Sequence, residues 1–193
     1  TYMPRECGIA TFTRSVYTSM ITPENGSKRK GFIVAMNDPE GQYDYPDFVK
    51  CVIRDNQFQD YMDAADYINE NADICSLQHE YNIFGGDDGV YILSLLNKIK
   101  VPVISTLHTI LKEPSVSQKY IIQEIARLSQ KVIAMSQLGL EILTDVFSIP
   151  ENKISIIEHG VPDIKLKAEE SKNKLSLIGN RTIITFGLLN RNK

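Results

Sequence analysis

Small and polar residues follow the apolar runs of this 193-residue chain, and they include all three of its histidines. They are Gly8, Asn37-Asp38, Gln78-His79-Glu80, His108-Thr109, Ser136 and His159-Gly160. A neutral imidazole can donate a hydrogen bond to a hydroxyl group or accept one from it. A glycine at a helix start lets a phosphate approach free backbone N–H groups. These residue types indicate a site for a ligand that carries hydroxyl and phosphate groups.

Metal and hydrolase chemistry fit the spacing poorly. After His79-Glu80, a zinc-protease motif needs a second histidine at position 83, where Ile83 stands. The run Asp87-Asp88-Gly89 lacks the downstream ligands of a calcium loop. The chain contains no Cys-x-x-Cys pair and no Gly-x-Ser-x-Gly elbow. We therefore predict no bound metal and no serine nucleophile.

Each of these residues also has a structural explanation. Gly8 is a plausible turn residue, His108 a plausible structural histidine, and His159-Gly160 a plausible turn that leaves a domain. Asp87 or Asp88 is expected to cap the following helix. For His79-Glu80 we favour ligand binding, because burial of such a pair costs free energy that a purely structural loop does not need to spend.

The elements that must position these residues alternate along the chain. Six short apolar runs read as strands buried on both faces. They lie at 31–36, 51–53, 74–77, 101–105, 132–135 and 154–157. Helical stripes separate them, and Ser115 and Ser136 stand where helix caps belong. We predict an α/β, Rossmann-like, doubly wound and mostly parallel sheet, whose carboxyl ends gather the polar residues at one rim.

The chain divides at a polar, lysine-rich stretch. We predict an N-terminal Rossmann-like domain over 1–162, a linker over 163–181, and the first strand of a truncated second domain over 182–193. The loop 2–8 leads straight into the first helix, so the central strand that should precede it is expected to be absent or reduced to Thr1-Tyr2. We therefore expect a gap in the sheet, or a neighbouring strand that fills it.

The composition argues against several classes of protein. The net charge is -3, with 21 Lys and Arg against 24 Asp and Glu, which does not suit a nucleic-acid binder. No apolar run approaches the roughly 18 residues of a membrane span. Three widely spaced cysteines indicate no disulfide framework, so we expect a reducing, cytoplasmic location.

Taken together, the motifs resemble the N-terminal domain of family 4 retaining glycosyltransferases. They are Pro4-Arg5-Glu6-Cys7-Gly8-Ile9-Ala10-Thr11-Phe12-Thr13, Gln78-His79-Glu80-Tyr81 with Phe84-Gly85-Gly86, Thr106-Leu107-His108-Thr109 and Glu158-His159-Gly160-Val161-Pro162. The segment 185–193 looks like the start of that family's second domain. The order and spacing of the motifs match over essentially the whole chain.

The resemblance implies a GT-B fold, in which two Rossmann-like domains face each other across the active site. The donor is then a nucleoside-diphosphate sugar, and this domain supplies the pocket for a carbohydrate or lipid-linked acceptor. The resemblance also allows peripheral contact between the enzyme and a membrane. His108 is expected near the transferred sugar, and Arg191 and Lys193 at the leaving diphosphate. The substrate contacts are expected from Gly8, His79, Glu80, His159 and Gly160. No cofactor is implied.

Three departures from the family pattern limit this expectation. Only one glycine, Gly8, follows Cys7 in the first loop, and Leu188 stands where many members have arginine. The family's acidic donor motif, Glu-x7-Glu, would lie beyond Lys193, so the chain by itself is expected to be inactive. Two alternatives stay open: a sugar-nucleotide epimerase of the same plan, with Glu80 as its cleft carboxylate, and a flavodoxin-like binding domain.

Overall fold

The structure is a computed structural model that describes residues 1–22, 29–38, 41–161, 165–179, 181 and 183. The chain forms two compact units, Thr1–Glu158 and His159–Lys193, which are described separately. The segment 182–193, predicted to hold the first strand of a second domain and containing Arg191 and Lys193, lies outside the described residues apart from Ile183. The predicted domain boundaries stay predictions.

Every strand that the structure describes in the first unit pairs in parallel with its neighbour in the sheet. The strands are β1 (Ile33–Asn37), β2 (Val49–Arg54), β3 (Cys75–His79), β4 (Val103–Leu107), β5 (Lys131–Ala134) and β6 (Ile154–Ile156). Among the described residues they form two sheets, β1-β2 and β3-β4-β5-β6. Each strand overlaps one of the six apolar runs, because β-branched residues favour a backbone that is buried on both faces. The predicted parallel, Rossmann-like α/β fold is confirmed.

One helix precedes β1, and helices connect the successive strands from β2 to β6, as the apolar stripes predict. They are α1 (Gly8–Ile21), α2 (Phe58–Asn71), α3 (Tyr91–Lys98), α4 (Val116–Leu128) and α5 (Gln137–Asp145), with α6 (Ala168–Lys174) in the second unit. Ser115 begins α4 with a full capping box, and Ser136 accepts a hydrogen bond from the Gly139 N–H group at the start of α5. Both predicted serine caps are therefore confirmed. Among the described residues, none of the helices has the length and hydrophobicity of a membrane span.

The predicted aspartate cap of α3 is wrong. The residue at the cap position is Val90, and no side chain caps this helix. Asp88 instead lies in a short 3-10 turn with a positive φ of 52°. Its carboxylate accepts hydrogen bonds from Ser115 and Gln118 at the start of α4. The turn directs Asp88 away from the helix that follows it in sequence and towards one that is distant in sequence.

One apolar core joins the two sheets, although no described strand connects them. Met36 of β1 and Ile53 of β2 belong to the same buried cluster as Leu77 of β3 and Leu107 of β4. Tyr2 is buried in a smaller cluster that contains two residues of β1. The break between β1-β2 and β3-β4-β5-β6 agrees with the expected gap in the sheet. Side chains of the helices, and not hydrogen bonds between the described strands, join the two sheets across this gap.

Candidate functional site

The loops after β3 and β4 meet at the carboxyl ends of these strands. Parallel pairing sets His79 opposite Leu107, and the N–H group of His108 donates to the carbonyl of His79 at 3.0 Å. Two of the three histidines are therefore neighbours in space where these strands end. This is the edge at which doubly wound sheets bind their ligands.

His108 is held from two sides. Its Nε2 atom lies 3.0 Å from Oε1 of Gln78 on β3. The Phe12 ring of α1 packs edge-on against the imidazole, with ring centroids 4.9 Å apart and an interplanar angle of 87°. His108 is half-buried, so its ring is oriented by packing while part of it faces solvent.

A shallow cleft of about 180 Å³ opens beside His108. It is lined by Leu107, His108, Ile110, Met135, Ser136, Leu138, Gly139 and Ile142. The start of α5 forms one wall of the cleft. There the Ser136 hydroxyl accepts a hydrogen bond from the Gly139 N–H group at 3.0 Å. The cleft is therefore mostly apolar, and His108 and Ser136 are its polar side chains.

Glu80 ties the two loops together. Its Oε1 accepts the N–H group of Tyr81 at 3.0 Å, and its Oε2 accepts the hydroxyl of Thr109 at 2.6 Å. Both carboxylate oxygens thus have a protein donor. Glu80 reaches from the end of β3 to the residue after His108 and fixes the spacing of the rim.

His79 lies beneath the rim rather than on it. Its side chain is 0% exposed and packs between Tyr81 and Phe84, with ring centroids 5.2 and 5.8 Å away. Neither ring nitrogen has a hydrogen-bond partner among the described residues. Burial, with a smaller contribution from His108, lowers the pKa of His79 to about 3, so the imidazole is neutral. The predicted substrate contact of His79 stays a prediction, and contact with a ligand on the rim would require movement of the covering loop.

Gly8 begins α1 in the position expected of it. A Cβ atom there would meet nothing within 4 Å, so space is open at the backbone. Phe12, four residues later, contacts His108, which brings the first turn of α1 to the same rim. The N–H groups of this first turn form a ready-made site for an anion.

The backbone N–H groups at the start of α1 also affect the pKa of Cys7, the N-cap residue. Its sulfur makes no capping hydrogen bond within ordinary limits. Burial raises the pKa of the thiol, but the Ala10 and Ile9 N–H groups, Thr1 and Arg5 together outweigh that effect and lower it. The environment of this helix start therefore favours negative charge.

A second polar cluster stands at the end of β1. Arg5 donates to the Met36 carbonyl at 3.3 Å and forms an ion pair with Asp38. Tyr45 donates to Asn37 Oδ1 at 2.5 Å, and burial, then Tyr43, raises its pKa to about 12. The position of Asn37-Asp38 after a strand is visible in the sequence, whereas the pairing of Arg5 with it is not.

The glycine loop after β3 is a packing device. The Gly85 N–H group donates to the Tyr61 hydroxyl at 2.8 Å, and that hydroxyl donates to the Asp55 carbonyl at 2.9 Å. A Cβ atom on Gly85 would lie 1.8 Å from the same Asp55 oxygen. The loop that covers His79 therefore needs glycine for its close approach to the turn after β2.

The remaining predicted site residues belong to the second unit or lie outside the described residues. His159 and Gly160 are exposed residues of the second unit, where His159 Nδ1 lies 2.8 Å from the Gly160 carbonyl oxygen. Arg191 and Lys193 lie outside the described residues. Within the part of the chain that the structure describes, no cluster of three or more His, Cys, Asp and Glu residues could hold a metal ion.

The chain has a structural likeness to a solved protein. That protein is a glycosyltransferase from Rickettsia africae ESF-5, known from a crystal structure, with 21% sequence identity and a TM-score of 0.48. The alignment covers 67% of this chain and 37% of that chain, so this chain spans about 37% of the length of that protein. No family model matches the chain, and no curated protein matches it.

Proposed function

We propose that this chain is the acceptor-side domain of a retaining glycosyltransferase that moves a sugar from a nucleoside diphosphate to a hydroxyl acceptor. The observation that carries the proposal is the placement of His108. It follows the carboxyl end of the parallel strand β4, lines the cleft, and contacts α1 through Phe12, one turn after Gly8. The same rim thereby offers an imidazole that can bind hydroxyl groups and a helix start that can bind phosphate, which supports the proposal.

The proposed reaction needs few protein groups. The bond between the anomeric carbon and the diphosphate oxygen breaks, and a bond from that carbon to the acceptor oxygen forms on the same face of the sugar. The acceptor proton passes to the leaving diphosphate. Fixed N–H groups and cations stabilise the charge that develops on the phosphate. In this scheme α1 contributes N–H groups from its first turn, and Arg191 and Lys193 remain the proposed cationic contacts.

The other predicted contacts take different parts. Gly8 leaves room for a phosphate or an acceptor at the backbone. Glu80 holds Thr109 and Tyr81 and thus shapes the rim. We retain His159 and Gly160 as proposed substrate contacts from the second unit. The donor sugar would be held mainly by a second Rossmann-like domain.

The epimerase alternative is weakened by Glu80. Proton transfer or hydrolysis in the cleft requires a carboxylate that can reach the substrate. Both oxygens of Glu80 already accept hydrogen bonds from protein donors at 3.0 and 2.6 Å. A carboxylate engaged in this way is better suited to fixing a loop than to acting as a general base.

The test is the His108→Ala variant of the whole enzyme, after a thermal-shift screen against nucleotide sugars has identified the donor. We expect turnover to fall by about 100-fold or more, in line with the loss of a group that acts at the reacting centre. Circular dichroism and the melting temperature should stay close to those of the parent, because His108 is only half-buried. Glu141→Ala, an exposed change on α5, is the matched control. Transfer by His108→Ala at the parent rate would overturn the role of His108.

A further inference from the structure

Gln78, one of the polar residues at the end of β3, makes a polar side-chain contact to His108. Its Oε1 lies 3.0 Å from His108 Nε2. We propose that Gln78 is a positioning residue that fixes the tautomer of His108, with the proton on Nε2. This inference rests on the proposed function for its consequence, but its geometry is independent of any activity.

The direction of the hydrogen bond follows from the amide. A carbonyl oxygen only accepts, so the ring nitrogen that faces Gln78 Oε1 must carry the proton. The nitrogen of the same amide lies 3.2 Å from the Ser76 hydroxyl, which accepts from it. Ser76 and Gln78 are two residues apart on β3, and side chains at that spacing share a face of a strand. Ser76 therefore gives the amide nitrogen a partner in the orientation that turns its oxygen to His108.

The rest of the rim keeps the imidazole in this arrangement. Phe12 packs edge-on against the ring, and the His108 N–H group is bonded to the carbonyl of His79. Glu80 holds Thr109, the next residue along the chain. His108 and Thr109 are thus both tied to the end of β3, and rotation of the imidazole away from Gln78 would break the hydrogen bond between them.

The chemical consequence concerns the second ring nitrogen. A neutral imidazole has one N–H group, so a proton on Nε2 leaves the lone pair on Nδ1. Gln78 thereby sets which nitrogen of His108 can accept a hydrogen bond from a hydroxyl group. In the proposed transferase, that choice determines how His108 meets the transferred sugar or its acceptor. Loss of the correct tautomer lowers the rate even though the imidazole is still present.

The test is nitrogen NMR of the whole protein labelled with ¹⁵N at histidine. Substitution of each of the three histidines in turn assigns the signals. Above the pKa of His108, we expect long-range proton–nitrogen couplings to show the proton on Nε2. In Gln78→Leu we expect a mixture of both tautomers. A proton on Nδ1 in the parent protein, or an unchanged tautomer in Gln78→Leu, would overturn the inference.

Gln78→Glu supplies a readout that a merely structural role would not give. A carboxylate at this position stabilises the imidazolium, so the pKa of His108 should rise by about 1 unit. Because the neutral form is the one proposed to act, the acid limb of the kcat/KM profile should move to higher pH by the same amount. Gln130→Glu is the matched control, since Gln130 is exposed and its N–H group bonds Val103 at the opposite end of the sheet.

The two proposals fail differently. If the NMR shows the expected tautomer but His108→Ala transfers sugar at the parent rate, the proposed function of His108 is wrong and the positioning geometry stands. If His108→Ala is inactive while the parent carries the proton on Nδ1, Gln78 does not have the proposed role and the function survives. A profile for Gln78→Glu that coincides with that of Gln130→Glu would also count against Gln78.

Discussion

At the scale of the residue, two neighbouring histidines have opposite environments. His108 is half-buried and bonded to Gln78, whereas His79 is 0% exposed and packs between two aromatic rings. Strand pairing places them side by side, but only one borders the cleft. The difference arises because the loop after His79 folds back over it, with Phe84 stacked at 5.8 Å. A short turn thus decides which imidazole is available for chemistry.

The burial of His79 predicts a pH dependence of stability. Its pKa in the folded protein is about 3, against a value of about 6.5 in an unfolded chain. The unfolded state therefore takes up a proton that the folded state refuses. The contribution of neutral His79 to the free energy of unfolding is fully present above pH 6.5 and is lost as the pH falls towards 3. Over that range the free energy of unfolding falls by up to about 1.4 kcal/mol per pH unit.

Urea unfolding between pH 5 and 7.5 would measure this effect. His79→Phe keeps an aromatic ring in the stack but cannot bind a proton, so its free energy of unfolding should fall less steeply as the pH is lowered. His159→Gln, at an exposed position, should follow the parent curve. Equal slopes for the parent and His79→Phe would show that His79 does not drive the dependence.

At the scale of the element, the loops at the rim use glycine for two different purposes. Gly85 lets the loop after β3 touch the backbone of Asp55, which locks the cover over His79. Gly8 opens α1 with empty space beside its backbone. The first serves packing between connections, and the second leaves room at a helix start. Their contributions to stability and to ligand binding should therefore be opposite.

Alanine substitutions separate the two purposes. Gly85→Ala should lower the free energy of unfolding by more than about 2 kcal/mol, because its Cβ would collide with backbone that no rotamer change can move. Gly8→Ala should leave stability unchanged or slightly higher, since alanine is the better helix former. In the proposed enzyme it should weaken substrate binding. Chemical denaturation measures the free energy of unfolding of each variant, and substrate titration measures its affinity. A strongly destabilised Gly8→Ala would refute the view that Gly8 leaves room for a ligand and is not needed for packing.

At the scale of the whole molecule, the described residues fall into two units of very different packing. The unit Thr1–Glu158 contains the large apolar cluster that joins both sheets. The helix α6 of the second unit has no buried residue, and its start carries an exposed ion pair between Lys167 and Glu170. Surface ion pairs add little stability, typically about 0 to 1 kcal/mol. A helix of this kind opens easily compared with the core.

Limited proteolysis with trypsin should therefore cut first within α6 or just before it. The accessible sites are Lys165, Lys167, Lys172 and Lys174. We expect mass spectrometry to find an early product that retains the whole of the unit Thr1–Glu158, because a protease needs local unfolding that the packed helices resist. First cleavage within α2 to α5 would contradict this ranking of local stability.

The sequence by itself determined the type and order of the main elements. Runs of β-branched residues and stripes at helical spacing are local signals, and each strand from β1 to β6 follows one of them. The caps at Ser115 and Ser136 are local too, since a serine bonds the N–H group three residues ahead. The same alternation predicts which loops reach the rim, because parallel strands end at a common edge.

Tertiary structure alone decided what the individual side chains do there. Asp88 bonds Gln118 of α4 instead of capping α3. Both carboxylate oxygens of Glu80 accept hydrogen bonds from the loops, and His79 is buried beneath Phe84. Gln78 meets His108 across 30 residues of chain. Burial, pKa and hydrogen-bond partners depend on neighbours that are distant in sequence, so residue type and spacing can nominate these groups but cannot assign their roles.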